Sequence, residues 1–272
     1  MEKQGKLRYR ILILALVFLV YPVQAWGAED SGLLWLVNSN NKLEASYGPQ
    51  QLVYINGFPV RPEVKAAFIK MQEGMRADGI KGMRLQSAYR PYQYQRALFD
   101  LKLENLAALG HDQKTAYALA TLAVALPGAS EHQIGLAIDV SVSGVLNEQF
   151  ANTEAGVWIQ NHSHQYGFIV RYPKEKTDIT RIMYEPWHLR YIGLPHSMYM
   201  NEYNMCLEEY IDHVKEAGIL LYWLDEANYF KISYSPFLKK MGMPLPPKDA
   251  YDISSTGFGG RGYVITELKK VF

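Results

Sequence analysis

The chain has 272 residues, 49% of them hydrophobic and 20% charged, the composition of a folded globular protein rather than a disordered one. A formal net charge of +1 lacks the basic excess of a nucleic-acid binder, so no nucleic-acid partner is expected. The single cysteine, Cys206, excludes an intramolecular disulfide.

Lys3, Lys6, Arg8 and Arg10 precede the apolar run ILILALVFLV (11–20), and Val23-Gln24-Ala25 follows. This order predicts a secretory signal, residues 1–25, cleaved after Ala25. The run is short for a membrane span of about 20 residues. If left uncleaved, it would be the chain's only membrane contact. Either way the body is expected outside the cell membrane, at the cell wall. The roughly 247 residues after Ala25 are enough to bury a core without disulfides.

LLWLVN (33–38) and QLVYING (51–57) read as a lead-in segment with short strands. RPEVKAAFIKMQEGMRADGI reads as a helix, with Pro62 in its first turn and Gly79 at its stop. Val64, Ala67, Phe68, Met71 and Met75 form its apolar face. MRLQSAY (83–89) reads as a strand, and helices follow over PYQYQRALFDLKLENLAAL and DQKTAYALATLAVAL. GLAIDVSV (135–142) alternates as a strand, with Leu136, Ile138, Val140 and Val142 on one face and Ala137, Asp139 and Ser141 on the other.

A helix is predicted over 153–166, stopped by Gly167, with further strands in FIVRYP and EPWHLRYIG. MCLEEYIDHVKEAGILLYWL (205–224) reads as one amphipathic helix, with Cys206 inside it as a small buried hydrophobe. YFKISYSPF, the Pro/Gly-rich MGMPLPP and GRGYVITEL then suggest two strands joined by a loop. The predicted class is α+β: a central, mostly antiparallel sheet flanked by helices, with a small C-terminal helix-plus-two-strand appendage.

An ionised carboxylate such as Asp139, placed in an apolar strand, needs a partner. His132 stands seven residues before it across a Gly135 turn, and His188 stands 49 residues after it. Two imidazoles and one carboxylate make a three-ligand set for Zn²⁺, with the fourth position open to water as in catalytic sites. Glu185 precedes His188 by three residues, which a regular strand would send to opposite faces. Pro186 can break that alternation and let Glu185 act as the base for water at the metal. Arg90, at a strand-to-helix junction, can meet an oxyanion or a carboxylate with its planar fork.

Taken singly, each residue also has an ordinary structural reading. His132 can be a cap or surface residue, Asp139 a salt-bridged strand residue and His188 a core histidine. Glu185 can be an ion-pair partner of Arg190. His162 and His164 are two apart on a helix and point to different sides.

In combination, SAYRPYQYQRALF, PGASEHQIGLAIDVSV, WIQNHSHQYGFIVRYP and YEPWHLRYIG, in this order, resemble the VanY-type D-alanyl-D-alanine carboxypeptidases. These are zinc peptidases of the group that also contains LD-carboxypeptidases and the hedgehog-like fold. The resemblance spans residues 33–200. It implies His132, Asp139 and His188 as zinc ligands, Glu185 as catalytic base and Arg90 as the group stabilising the transition state or gripping substrate.

It also implies Ser130 and Gln95 as partners of the substrate's terminal carboxylate, and Trp187 as pocket wall. Pro91 departs from the family pattern, which commonly has Ser or Thr after this Arg; the change touches the helix start and not the Arg. The implied organisation is a catalytic domain over 26–200 and an appendage over 201–272. The implied substrate is the terminal D-Ala-D-Ala of peptidoglycan stem peptides. An LD-carboxypeptidase trimming tetrapeptides and a non-catalytic wall-binding module are the alternatives.

Overall fold

The computed structural model describes residues 32–235 and 263–271. The predicted signal segment and MGMPLPP lie outside the described residues. Within them the chain is α+β, with seven α-helices and three antiparallel sheets. A hairpin comes first, β1 (Val53–Ile55) and β2 (Phe58–Val60), turned by Asn56 and Gly57, both at positive φ.

Helix α1 (Pro62–Ala77) starts on Pro62 and buries the predicted face from Val64 to Met75. Strand β3 (Arg84–Ser87) leads to α2 (Tyr92–Ala108) and α3 (Gln113–Ala123), which share a small core through Phe99, Leu106, Ala116 and Ala120. Asp112 caps α3 by accepting from the N–H groups of Lys114 and Thr115.

Strand β4 (Ala137–Ser141) is buried along its whole length. Helix α4 (Glu154–His162) follows, then β5 (Phe168–Tyr172), a short α5 (Thr177–Thr180) and β6 (Glu185–Tyr191). The four-stranded sheet has the order β3-β4-β6-β5. One face presents Leu136, Ile138, Val140 and Leu189 to a core built with Phe68, Met71 and Trp158. The other carries Asp139 and His188. All apolar bulk therefore lies on one side of β4, and that leaves the opposite side for polar chemistry.

Helices α6 (His196–Glu202) and α7 (Leu207–Ala217) precede a second sheet of β7 (Ile219–Trp223), β8 (Asn228–Ser235) and β9 (Tyr263–Lys270). Their core includes Tyr210, Val214, Ile232 and Val264. It is shared with Leu34 and with Ile169 on the edge strand β5.

Four sequence expectations need correction. Residues 205–224 are not one helix: α7 ends at Ala217, Gly218 adopts φ +69°, and 219–223 become β7. The appendage therefore has three strands instead of two. LLWLVN forms no strand; Leu33, Leu34 and Val37 are buried from irregular backbone, and Asn38 Oδ1 accepts from the N–H groups of Asn40 and Asn41. The 153–166 helix turns to 3₁₀ geometry after His162, although Gly167 does end it at φ +85°. Cys206 is the residue before α7, not within it; burial pushes its thiol up to about 12, consistent with an unreactive buried side chain.

Candidate metal centre

Asp139 and His188 are direct cross-strand partners in the β4–β6 ladder. Directly opposed residues project to the same face, so the sheet register alone brings them together. His188 Nδ1 lies 3.0 Å from Asp139 Oδ1.

His132 comes from a 3₁₀ turn, Glu131–Ile134, that runs into β4. Gly135 closes the turn at φ +71°, its N–H bonded to the His132 carbonyl at 3.1 Å. A Cβ there would sit 3.2 Å from side-chain atoms of Arg61 and Pro49, so both the conformation and the space favour glycine. His132 Nδ1 donates to the Ala88 carbonyl at 2.6 Å, which leaves Nε2 as the lone-pair nitrogen. That nitrogen is buried without a hydrogen-bond partner, 3.3 Å from Asp139 Oδ2.

One potential ligand atom from each of His132, Asp139 and His188 lies within 4.8 Å of the others, and all three residues are buried. Two imidazole nitrogens and one carboxylate, with a buried lone-pair nitrogen that makes no hydrogen bond, fit a zinc ion that keeps an open position.

Glu185 reaches the same centre through an irregularity in β6. Between the rungs Val170↔Leu189 and Tyr172↔Glu185, only Arg171 of β5 stands against Pro186, Trp187 and His188 of β6. This bulge breaks the alternation, as the Glu-Pro-Trp-His spelling predicts. Glu185 Oε2 lies 3.7 Å from His188 Nδ1. Arg190 is not its partner: Arg190 Nη1 lies 2.8 Å from Glu131 Oε1 instead.

Arg90 lines the same cleft; its Nη1 donates to Ser87 Oγ at 3.2 Å and lies 3.7 Å from Asp139 Oδ2. The cleft measures about 330 Å³, and Gln95, Ser130 and Trp187 also line it. Gln95 is buried; its Nε2 donates to the Ala125 carbonyl at 2.7 Å, and its Oε1 has no partner. His162 and His164 lie elsewhere, with His162 stacked on Trp158 at 4.7 Å between ring centroids.

The electrostatics divide the groups. Burial pushes the Glu185 carboxyl up to about 7; His188 and Arg90 draw it down, and Asp139 reinforces the rise. Burial, aided by Arg90, pushes His132 down to about 4. Burial also opposes a charge on His188, but its hydrogen bond to Asp139 and the nearby Glu131 and Glu185 carboxylates outweigh this and push it up to about 9. Asp139 sits well below the carboxylate range, because the two imidazoles outweigh its burial.

Two contributors escaped the sequence reading. Tyr172 lines the cleft with its ring 5.0 Å from that of His188. Glu131 is wholly buried beside His132, among Arg171, Arg190 and His188. Its signal was a charged residue inside a motif whose neighbours are all buried.

A sequence model of the VanY family, D-alanyl-D-alanine carboxypeptidase, matches residues 58–194. A D-alanyl-D-alanine carboxypeptidase of Enterococcus faecalis is 34% identical over 189 residues, 70% of this chain and 69% of that protein. A mutant of the vancomycin-resistance D,D-pentapeptidase VanY in complex with Zn(II) is similar at TM-score 0.59 and 36% identity, covering 65% of this chain and 98% of that one. The LD-carboxypeptidase LdcB is similar at TM-score 0.59 and 36% identity, covering 66% and 86% of the two chains.

Proposed function

We propose a function from one premise: the chain belongs to the VanY family of zinc-dependent D-alanyl-D-alanine carboxypeptidases. Within that family we assign it hydrolysis of the terminal D-Ala-D-Ala bond of peptidoglycan stem peptides, releasing D-alanine. His132, Asp139 and His188 would hold the zinc. The observation that carries this reading is the convergence of that buried trio with Glu185 and Arg90 on one cleft.

A zinc ion held by His132, Asp139 and His188 would supply Lewis acidity to the scissile carbonyl and to the attacking water. Glu185 takes a proton from that water as the new C–O bond forms, and its raised pKa suits a base working near neutral pH. Arg90 offers its guanidinium to the oxyanion on the opposite side. As the C–N bond breaks, Glu185 passes the proton to the leaving amine. Ser130 Oγ–H and the second Nε2–H of Gln95 would donate to the terminal carboxylate, and Trp187 walls the cleft.

An exported catalytic domain over 26–200 accords with this substrate, which lies outside the cell membrane; the described strands and helices after residue 200 share a core with Leu34 and Ile169. Likeness to LdcB supports a second reading, an LD-carboxypeptidase acting on tetrapeptides. Mass spectrometry of digests of pentapeptide and tetrapeptide stems tests the two. Loss of the last D-alanine from the pentapeptide is expected, and cleavage of the tetrapeptide alone would overturn the D,D assignment.

A further inference from the structure

The zinc site has a buried charge network behind it that reaches outside the matched residues. Glu131 Oε1 accepts from Arg171 Nε at 2.8 Å. Arg171 in turn donates from Nη1 and Nη2 to Glu208 on α7, at 2.9 and 2.7 Å. Arg190 Nη1 stands 2.8 Å from Glu131 Oε1, and its Nη2 donates to the carbonyls of Leu33 and Trp35. Two carboxylates and two guanidinium groups therefore balance in the interior. Arg171, Glu131 and Arg190 are fully buried, and Glu208 is 12% exposed.

Such a network is weak as a source of stability, because removing four charges from water offsets much of their attraction. Its other end explains its placement. Glu131 Oε2 is buried with no hydrogen-bond partner, and it faces His188 Nε2, also buried without one, at 3.7 Å. His188 turns its other nitrogen, Nδ1, toward Asp139 and Glu185. A histidine ligating through Nδ1 carries its proton on Nε2, and that proton needs an acceptor to fix the ring. Glu131 is the carboxylate at that position.

We propose that Glu131 is a positioning residue for the metal ligand His188, and that helix α7 is coupled to the metal centre through Glu208 and Arg171. The inference rests on the zinc-site reading above. Glu208 lies beyond the family match, which ends at residue 194, so the coupling makes the C-terminal part of the chain a contributor to metal binding. With Glu208 neutral, Arg171 would keep an uncompensated charge and draw Glu131 away from the imidazole.

The test uses the full chain and measures zinc affinity by competition with a chromophoric chelator, alongside the melting midpoint of the metal-free protein. Glu131→Gln should weaken zinc binding about 10- to 100-fold. Glu208→Gln, at the partly exposed end of the network, should weaken it at least about threefold. The double variant should lose no more than Glu131→Gln alone, because both act through one path.

Lower melting midpoints with zinc affinity within twofold of the unaltered chain would overturn the proposal. If Glu131→Gln does not fold, the same criterion applies to Glu208→Gln. An unaltered chain that binds no zinc would instead sink the zinc-site reading on which all this stands.

Discussion

Asp139 and His188 occupy opposite positions of the β4–β6 ladder, with Oδ1 and Nδ1 3.0 Å apart. In the metal-free chain that contact holds a proton on the imidazole, whose pKa rises to about 9. Zinc ligation requires neutral histidine, and a cation also draws protons from Glu185, so uptake at pH 7 should release between about one and two protons per chain. Apparent affinity should rise about tenfold per pH unit up to about pH 9. Calorimetry in buffers of different ionisation heat reads the proton count directly; a binding heat independent of buffer would contradict it.

Glu185→Gln keeps the size of the side chain and removes the base. Turnover should fall by about 10²- to 10⁴-fold, while elemental analysis still finds zinc, since Glu185 is not a ligand in this reading. In the unaltered enzyme, kcat/KM should decline as pH falls through the Glu185 pKa. That value is about 7 without metal, and a cation in the site draws it lower.

Arg90→Ala should lower kcat/KM by about 10²- to 10³-fold with zinc content unchanged. Arg90→Lys restores the charge but not the planar fork, so only part of the loss should return. Steady-state kinetics on one stem peptide compares the three proteins.

His196 offers a stability test away from the cleft. It is buried, with Nδ1 2.7 Å from the Tyr210 hydroxyl and Nε2 3.3 Å from Thr266 Oγ1, tying α6 to α7 and β9. Burial pushes it down to about 3 from an ordinary value of 6.5. The unfolded chain thus binds a proton below pH 6.5 that the folded chain refuses until about pH 3. This contribution to stability is full above pH 6.5 and is lost as pH falls, by up to about 1.4 kcal/mol per unit. Urea unfolding at pH 7 and pH 5 measures it. Tyr210→Phe should cost about 1–3 kcal/mol at pH 7 by stranding the imidazole.

Much of this was legible in the sequence where local pattern and tertiary demand agree. The face of α1 from Val64 to Met75 has helical spacing and meets one core. Asp139 could be read because a charge in an alternating apolar run has few explanations, and Glu185 because Pro186 forbids a regular strand. Residues 219–223 misled because their apolar residues extend the pattern of α7; Gly218 at positive φ, not the spacing, decides the stop. Glu131 was missed because its meaning comes from Arg171 and Arg190, 40 and 59 positions away, and from Glu208 behind them.

The bulge at Pro186-Trp187 has a mechanical consequence. Glu185 and His188 ride on a single strand clamped between β4 and β5, so the separation of the proposed base and the proposed ligand is set by one rigid body. Neighbouring loops can shift without detuning it. Accommodation of a different leaving amino acid must then fall to the wall lined by Arg90, Gln95 and Ser130, which come from a junction, a helix and a turn. Substrate preference in this scaffold should therefore evolve on that wall while the strand bearing the chemistry stays fixed.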